Sequence, residues 1–180
     1  MEEDEQSRRA PFSWREAREE DMAAVTAIFN QVLRDSNSIY QEHEVSLDSR
    51  VQVLRDRLAN GFPFIVAVEP KSSGEGEEVV GYASYGPFRT SYGYRFTAEH
   101  SIHVREDKRG KGLGKHLLTK LLEIAVSKGV HVMVAAIDSG NEMSILMHRK
   151  FGFEEVGRMP EVGCKRGQWL TLVLMQKILS

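Results

Sequence analysis

Cysteine is nearly absent from this chain, and its scarcity narrows the chemistry. Cys164 stands alone among 180 residues, so no internal disulfide can form, and no Cys/His cluster has the spacing of a zinc site. A reducing compartment without a metal is expected. Excess charge is also lacking: the net charge is -2 and the pI lies near 6.3, which argues against broad nucleic-acid binding. No apolar run approaches the roughly 20 residues of a membrane-spanning helix. The acidic opening Met1-Glu2-Glu3-Asp4-Glu5 is the reverse of a signal or transit peptide. The cytoplasm is therefore the expected location, with neither nucleic acid nor membrane as partner. Internal repeats and low-complexity domains are missing too.

The remainder is ordinary globular material. With 41% hydrophobic and 28% charged residues, the chain suits one domain with one core. Residues 1–13 are polar and charged and predict a mobile acidic tail, leaving 14–180 as the domain. Trp14 to Ala17 reads as a short strand. Met22, Val25, Ile28, Phe29 and Val32 recur at helical spacing over about 20–33, and Ser46 would cap a second helix carrying Leu47, Val51, Leu54 and Leu58. Phe64–Val68 and Val79–Tyr85 predict a hairpin around the Gly/Ser/Glu-rich 70–78, and Thr97–Val104 a third long strand. A helix from Leu113 to about Lys128, a strand over 130–137, a helix over 142–150, and strands at 152–156 and 169–175 follow. Trp169 is expected in the core.

The most informative stretch is Arg109-Gly110-Lys111-Gly112-Leu113-Gly114, between that third strand and the helix that follows. The first amides of a helix lack intrahelical partners and sit at the positive end of its dipole, so glycines that bring them close to an anion, with Arg109, Lys111 and Lys115 nearby, suit a pyrophosphate. A plain basic capping loop is the competing reading. Two nucleotide motifs fail by counting. A Walker loop needs Gly at 109 and Ser or Thr at 116, where Arg and His stand, and a dinucleotide fingerprint needs Gly at 115, which is Lys.

Four local patterns carry a resemblance. They are Arg15-x-Ala17 with Asp21-x-x-Ala24-Val25 and Ile28-x-Asn30; Thr97-x-Glu99-His100-Ser101; Asn141-x-x-Ser144-x-x-Met147-His148 with Gly152-Phe153; and Gly163-x-Lys165-x-Gly167-x-Trp169. With the basic glycine loop, the chain over about 14–178 resembles the GNAT superfamily of N-acetyltransferases, in the branch of the phosphinothricin and methionine sulfoximine enzymes. The resemblance implies a mixed α+β fold with a central, mostly antiparallel sheet of about seven strands, a V-shaped splay and about four flanking helices. It implies acetyl-CoA as co-substrate, with its pyrophosphate on the amides of Arg109, Gly110, Lys111, Gly112, Leu113, Gly114 and Lys115. Its pantetheine arm would run along the backbone of Ile102, His103 and Val104, near Asn141 and Ser144. A homodimer is implied as well.

The same resemblance makes Glu99 the base that deprotonates the acceptor amine. At the position where many relatives carry a tyrosine acid the chain has His148; either His148 protonates the leaving thiolate or the thiolate departs unaided. Arg89 and Arg95, flanking Thr90 to Tyr94, would clamp a carboxylate or phosphinate, with Tyr92 and Tyr94 lining the pocket. The expected reaction is direct acetyl transfer to the primary amine of a small amino acid or analogue, without metal. Acetylation of a peptide amine and a non-catalytic acyl-CoA-binding regulator are the alternatives.

Overall fold

The computed structural model describes residues 12–179. Its elements are β1 (Ser13–Glu16), α1 (Met22–Asp35), α2 (Leu47–Ala59), β2 (Phe64–Pro70), β3 (Glu77–Pro87), β4 (Thr97–Val104), α3 (Leu113–Ser127), β5 (Val132–Asp138), α4 (Glu142–Lys150), β6 (Glu154–Lys165) and β7 (Gln168–Ile178). Local chemistry accounts for several boundaries. The Ser46 side chain accepts from Ser49 N at 3.2 Å to cap α2, and Asn141 caps α4 by accepting from Ser144 N at 3.2 Å, each satisfying an otherwise unpaired amide. Before α1, Asp21 receives both arms of the Arg15 guanidinium, at 2.7 and 2.8 Å, and the Arg18 amide at 2.7 Å. This gives the first of the four patterns a structural purpose.

The seven strands form one sheet in the order β1-β2-β3-β4-β5-β7-β6. Every pairing is antiparallel except β4 with β5, which are parallel and joined only at Thr97–Glu99 against Val132–Val134. Beyond Glu99 the two strands part, β4 staying with β3 and β5 with β7. The sheet therefore opens into a V, and residues 101–104 present a backbone edge without a strand neighbour on the β5 side.

One apolar core lies under α3 and α4, built on Leu113, Leu117, Leu118 and Leu121 against Ala83, Ile137 and Phe153. The other lies under α1 and α2, where Met22, Val25, Phe29, Leu33 and Leu54 meet Phe64, Val66 and Tyr82. Each fully buried leucine contributes about 1.5–3 kcal/mol. Alternation along β4 assigns its side chains to opposite faces. His103 packs on Phe29 and Tyr82, which puts Glu99 on the α1/α2 side, while Ala98 and His100 face the α3/α4 core.

Three expectations change. The packed fold begins ahead of Trp14, because Phe12 packs against the α3-side core and the His116 ring, and Ser13 opens β1; the rest of the expected tail, residues 1–11, lies outside the described residues. β6, expected over 152–156, runs to Lys165, because register shifts within it break the alternation a sequence reader depends on. It turns into β7 through Arg166 (φ 52°) and Gly167 (φ 74°), a two-residue turn with both residues left-handed. Trp169, expected in the core, is 67% exposed on this hairpin, where it pairs with Cys164.

The hairpin is tied to the connector between α1 and α2. Lys165, only 1% exposed, donates from Nζ to the carbonyls of Leu33, Ser36 and Ile39 at 2.7, 2.7 and 2.8 Å. A Cβ at Gly163 would meet the Tyr40 ring at 2.4 Å, so glycine there makes room for that ring. The Tyr40 hydroxyl donates to Asp138 Oδ1 at 2.8 Å, linking the connector to the end of β5.

Candidate active site

Each side of the V supplies a different kind of chemistry. At its mouth, α3 begins at Gly112 with no side chain capping its first amides. Gly110 and Gly112 hold φ of 76° and 85°, with nothing within 4 Å of a Cβ built on either. They are thus suited to backbone conformation rather than to packing. Arg109 donates to the Val104 carbonyl and Lys111 to the Asp107 carbonyl, drawing both cations onto the loop. Val104 and Met147 approach Gly114, so α3, α4 and the free β4 edge converge at one end of the splay. An uncapped helix start beside an open strand edge fits a pyrophosphate joined to an amide-bearing arm.

Asn141 and Ser144 stand at the start of α4 but already serve each other. The Asn141 oxygen is used as the cap, and its nitrogen donates to Ser38 Oγ at 3.2 Å. The residue thus ties α4 to the α1–α2 connector.

On the α1/α2 side, Glu99 is half-buried and its side chain has no hydrogen-bond or ion-pair partner among the described residues. Burial lifts its carboxyl above the usual range, while the positive charges of Arg89 and Arg57 pull it back. Such a carboxylate, once ionised, is available to accept a proton.

The sequence-predicted residues do not all meet there. Arg89 is exposed and acts on Glu99 through its charge. Arg95 is instead folded onto its own turn, stacked 4.3 Å from the Tyr92 ring and 4.4 Å from Phe96, and donating to the Tyr92 carbonyl. Tyr92 is 79% exposed, and Tyr94 leans edge-on against Phe88, with neither in contact with Glu99 among the interactions of the described residues.

His148 is buried in the α3/α4 core, on the opposite side of the sheet from Glu99. Its Nδ1 faces the Ser144 carbonyl at 2.7 Å, and its Nε2 lies 3.2 Å from Nε2 of His100. Donation from His148 Nδ1–H to that carbonyl leaves its Nε2 to accept from His100, so both rings are neutral in this arrangement. Burial lowers both imidazoles; the neighbouring His148 further disfavours charge on His100, whereas the bond to the Ser144 carbonyl draws His148 partway back up.

Sequence reasoning overlooked Arg50 and Arg57, seven positions apart on α2 and therefore close to one face. Arg50 sits 4.5 Å over the Phe29 ring with its buried Nε unpartnered, and Arg57 has no side-chain partner among the described residues. The available signal was their spacing on a helix destined for the sheet. Lys165 was also overlooked as a structural group, since lysine normally reads as solvated.

A splayed, mostly antiparallel sheet with an uncapped helix start at its mouth and an unpaired carboxylate at its apex defines an acyl-transfer fold. Residues 14–153 match the acetyltransferase (GNAT) family, and the chain belongs to it as an N-acetyltransferase. It is 47% identical over 164 residues to the L-methionine sulfoximine/L-methionine sulfone acetyltransferase of Pseudomonas aeruginosa, covering 91% of this chain and 92% of that one. Among solved structures, it matches the ribosomal-protein-alanine N-acetyltransferase of Brucella melitensis with TM-score 0.86 and 44% identity, over 92% of this chain and 99% of the other. The phosphinothricin acetyltransferase of Sinorhizobium meliloti in complex with acetyl-CoA matches with TM-score 0.87 and 33% identity, over 94% and 89%. No helix among the described residues is long and apolar enough to cross a membrane.

Proposed function

We propose that this chain transfers the acetyl group of acetyl-CoA to the primary amine of a small amino acid or analogue of the methionine sulfoximine and phosphinothricin type. The observation that carries the reading is Glu99: a half-buried carboxylate, unpaired among the described residues, at the point where β4 and β5 part, flanked by arginines that hold no carboxylate among those residues. Two cationic side chains, Arg57 and Arg89, near enough to act on the Glu99 carboxyl through their charge favour a small anionic acceptor over a neutral one.

When bound, acetyl-CoA supplies an activated acyl group as a thioester. The amides of Gly110 to Lys115 and the cations Arg109, Lys111 and Lys115 hold its pyrophosphate, and the Ile102-His103-Val104 backbone orients its arm. Asn141 and Ser144 shape the α4 side of the cleft. Glu99 takes a proton from the acceptor ammonium, directly or through water, which frees the nitrogen lone pair for attack. Arg89 draws in the acidic acceptor, with Tyr92, Tyr94 and Arg95 as the rim. His148 orients α4 through His100 and Ser144, and the thiolate leaves without its help, a role consistent with both ring nitrogens facing protein atoms.

The exposed Met159, Val162 and Trp169 on the β6–β7 hairpin support a homodimer, for sedimentation velocity to test. The exposed single Cys164 suits a reducing, cytoplasmic setting.

The deciding assay is thiol release from acetyl-CoA with methionine sulfoximine, phosphinothricin, ordinary amino acids, a polyamine and an alanine-ended peptide. Turnover on the amino acid analogues alone is expected. Turnover on the peptide alone would replace this reading with protein N-acetylation, and acetyl-CoA binding without turnover would favour the regulator.

A further inference from the structure

The positive charge beside Glu99 is the feature that the family motifs leave unexplained. Gly86 on β3 lies directly opposite Glu99 on β4, so a side chain there would stand on the same face, roughly 5 Å from the Glu99 Cβ. That space is filled: a Cβ built at Gly86 would lie 1.5 Å from Nη1 of Arg57 and 2.3 Å from its Cζ. The Arg57 guanidinium therefore occupies the place of the missing side chain, beside the catalytic carboxylate.

Several arginines elsewhere on this surface hold carboxylates. Arg15 is paired with Asp21, Arg34 with Glu44, Arg55 with Glu19, Arg105 with Glu78 and Arg158 with Glu155. Arg57 holds none among the described residues, although it is half-buried and Arg50 on the same helix repels it. The Arg57 nitrogens are not among the buried unpartnered atoms, and with no protein acceptor among the described residues their donors are available to an incoming anion.

Resting on the acceptor class proposed above, we infer that Arg57 binds the α-carboxylate of the acceptor, leaving Arg89 to face its side-chain polar group. The stereochemistry of an α-amino acid supports this assignment. Amine and carboxylate share one carbon, so an acceptor whose nitrogen reaches Glu99 places its carboxylate in the adjoining side-chain position, where Arg57 sits. The planar guanidinium suits two-point capture of that group. Arg50, farther along α2 and stacked on Phe29, adds positive field toward the splay. Gly86 is then a specificity position, because any larger residue would displace the guanidinium.

The experiment measures KM and kcat for L-methionine sulfone and for its α-carboxamide, with wild type, Arg57→Gln, Arg57→Lys and Gly86→Ala, alongside calorimetric binding of methionine sulfone in the presence of CoA. Arg57→Gln should raise KM for the acid about 10- to 100-fold and leave the carboxamide within about twofold, with Arg57→Lys restoring part of the loss. Gly86→Ala, which keeps every charge, should show the same selective loss. Equal losses on both acceptors, or no loss on the acid in either Arg57→Gln or Gly86→Ala, would overturn the role of Arg57. If Arg57→Gln fails to fold, judged by circular dichroism and CoA binding, Gly86→Ala decides alone. Wild type that neither binds nor acetylates the acid would overturn the acceptor class itself, an outcome separable from normal wild-type turnover with indifferent variants.

Discussion

The proposed donor cleft and the proposed acceptor site meet at Glu99 but are made of different materials. The donor cleft is largely backbone: the uncapped start of α3, two left-handed glycines and the unpaired edge of β4. The proposed acceptor site is largely side chain, with Glu99 from β4, Arg57 and Arg50 from α2, and Arg89 from the segment after β3. A ligand shared by a whole family can be held by main-chain groups that tolerate sequence change. A variable acceptor needs groups that can be exchanged one at a time.

The largest effect expected to sharpen that contrast comes from Glu99→Gln, which should lower kcat/KM by about 10²–10⁴-fold while leaving acetyl-CoA binding intact. Its pH profile is equally diagnostic. Burial raises the Glu99 carboxyl, and the base works only when ionised, so wild-type activity should fall as pH drops through a midpoint above the ordinary glutamate value. That acidic limb should vanish in the variant.

Next comes Lys165→Met, which strips the donor from three carbonyls at once. A loss of about 3 kcal/mol is expected, together with a Tm lower by roughly 6–12 °C. Faster hydrogen exchange should be confined mainly to residues 36–45, with weaker acceptor binding and little change in donor binding.

Gly112→Ala should act on the opposite side. A residue with a Cβ at φ 85° is strained by about 1–2 kcal/mol, which should raise KM for acetyl-CoA about tenfold and leave the acceptor KM unchanged. The smallest effect is expected for His148→Asn, with kcat reduced less than about tenfold and the pH profile kept. Loss of a basic limb there would instead make His148 the acid and join the two faces of the sheet in one mechanism.

The contrast also separates what was legible in the sequence from what was hidden. β4 and α4 were readable to the residue, because a long alternating run and a capping asparagine are local signals. The conformation of the glycine loop ahead of α3 was readable for the same reason, since a turn and a helix start depend on consecutive residues. The length of β6 was obscured by its register shifts, and Trp169 looked apolar enough for the core although the hairpin projects it outward. Lys165 belongs to a recognisable pattern, but its partners lie about 130 positions away in sequence. Nothing in a lone lysine announces a buried three-way donor.

By itself, then, the sequence determined the order of elements, the phosphate-suited turn, the Glu99 candidate and the family, because helices, strands and caps depend on residues within a few positions of one another. Only the tertiary structure decided which side chains share a chamber. It parted β4 from β5 after Glu99, put His148 across the sheet, and seated Arg57 over Gly86. Those juxtapositions arise when distant segments compete for the same space in a close-packed interior, a competition that no short stretch of sequence records.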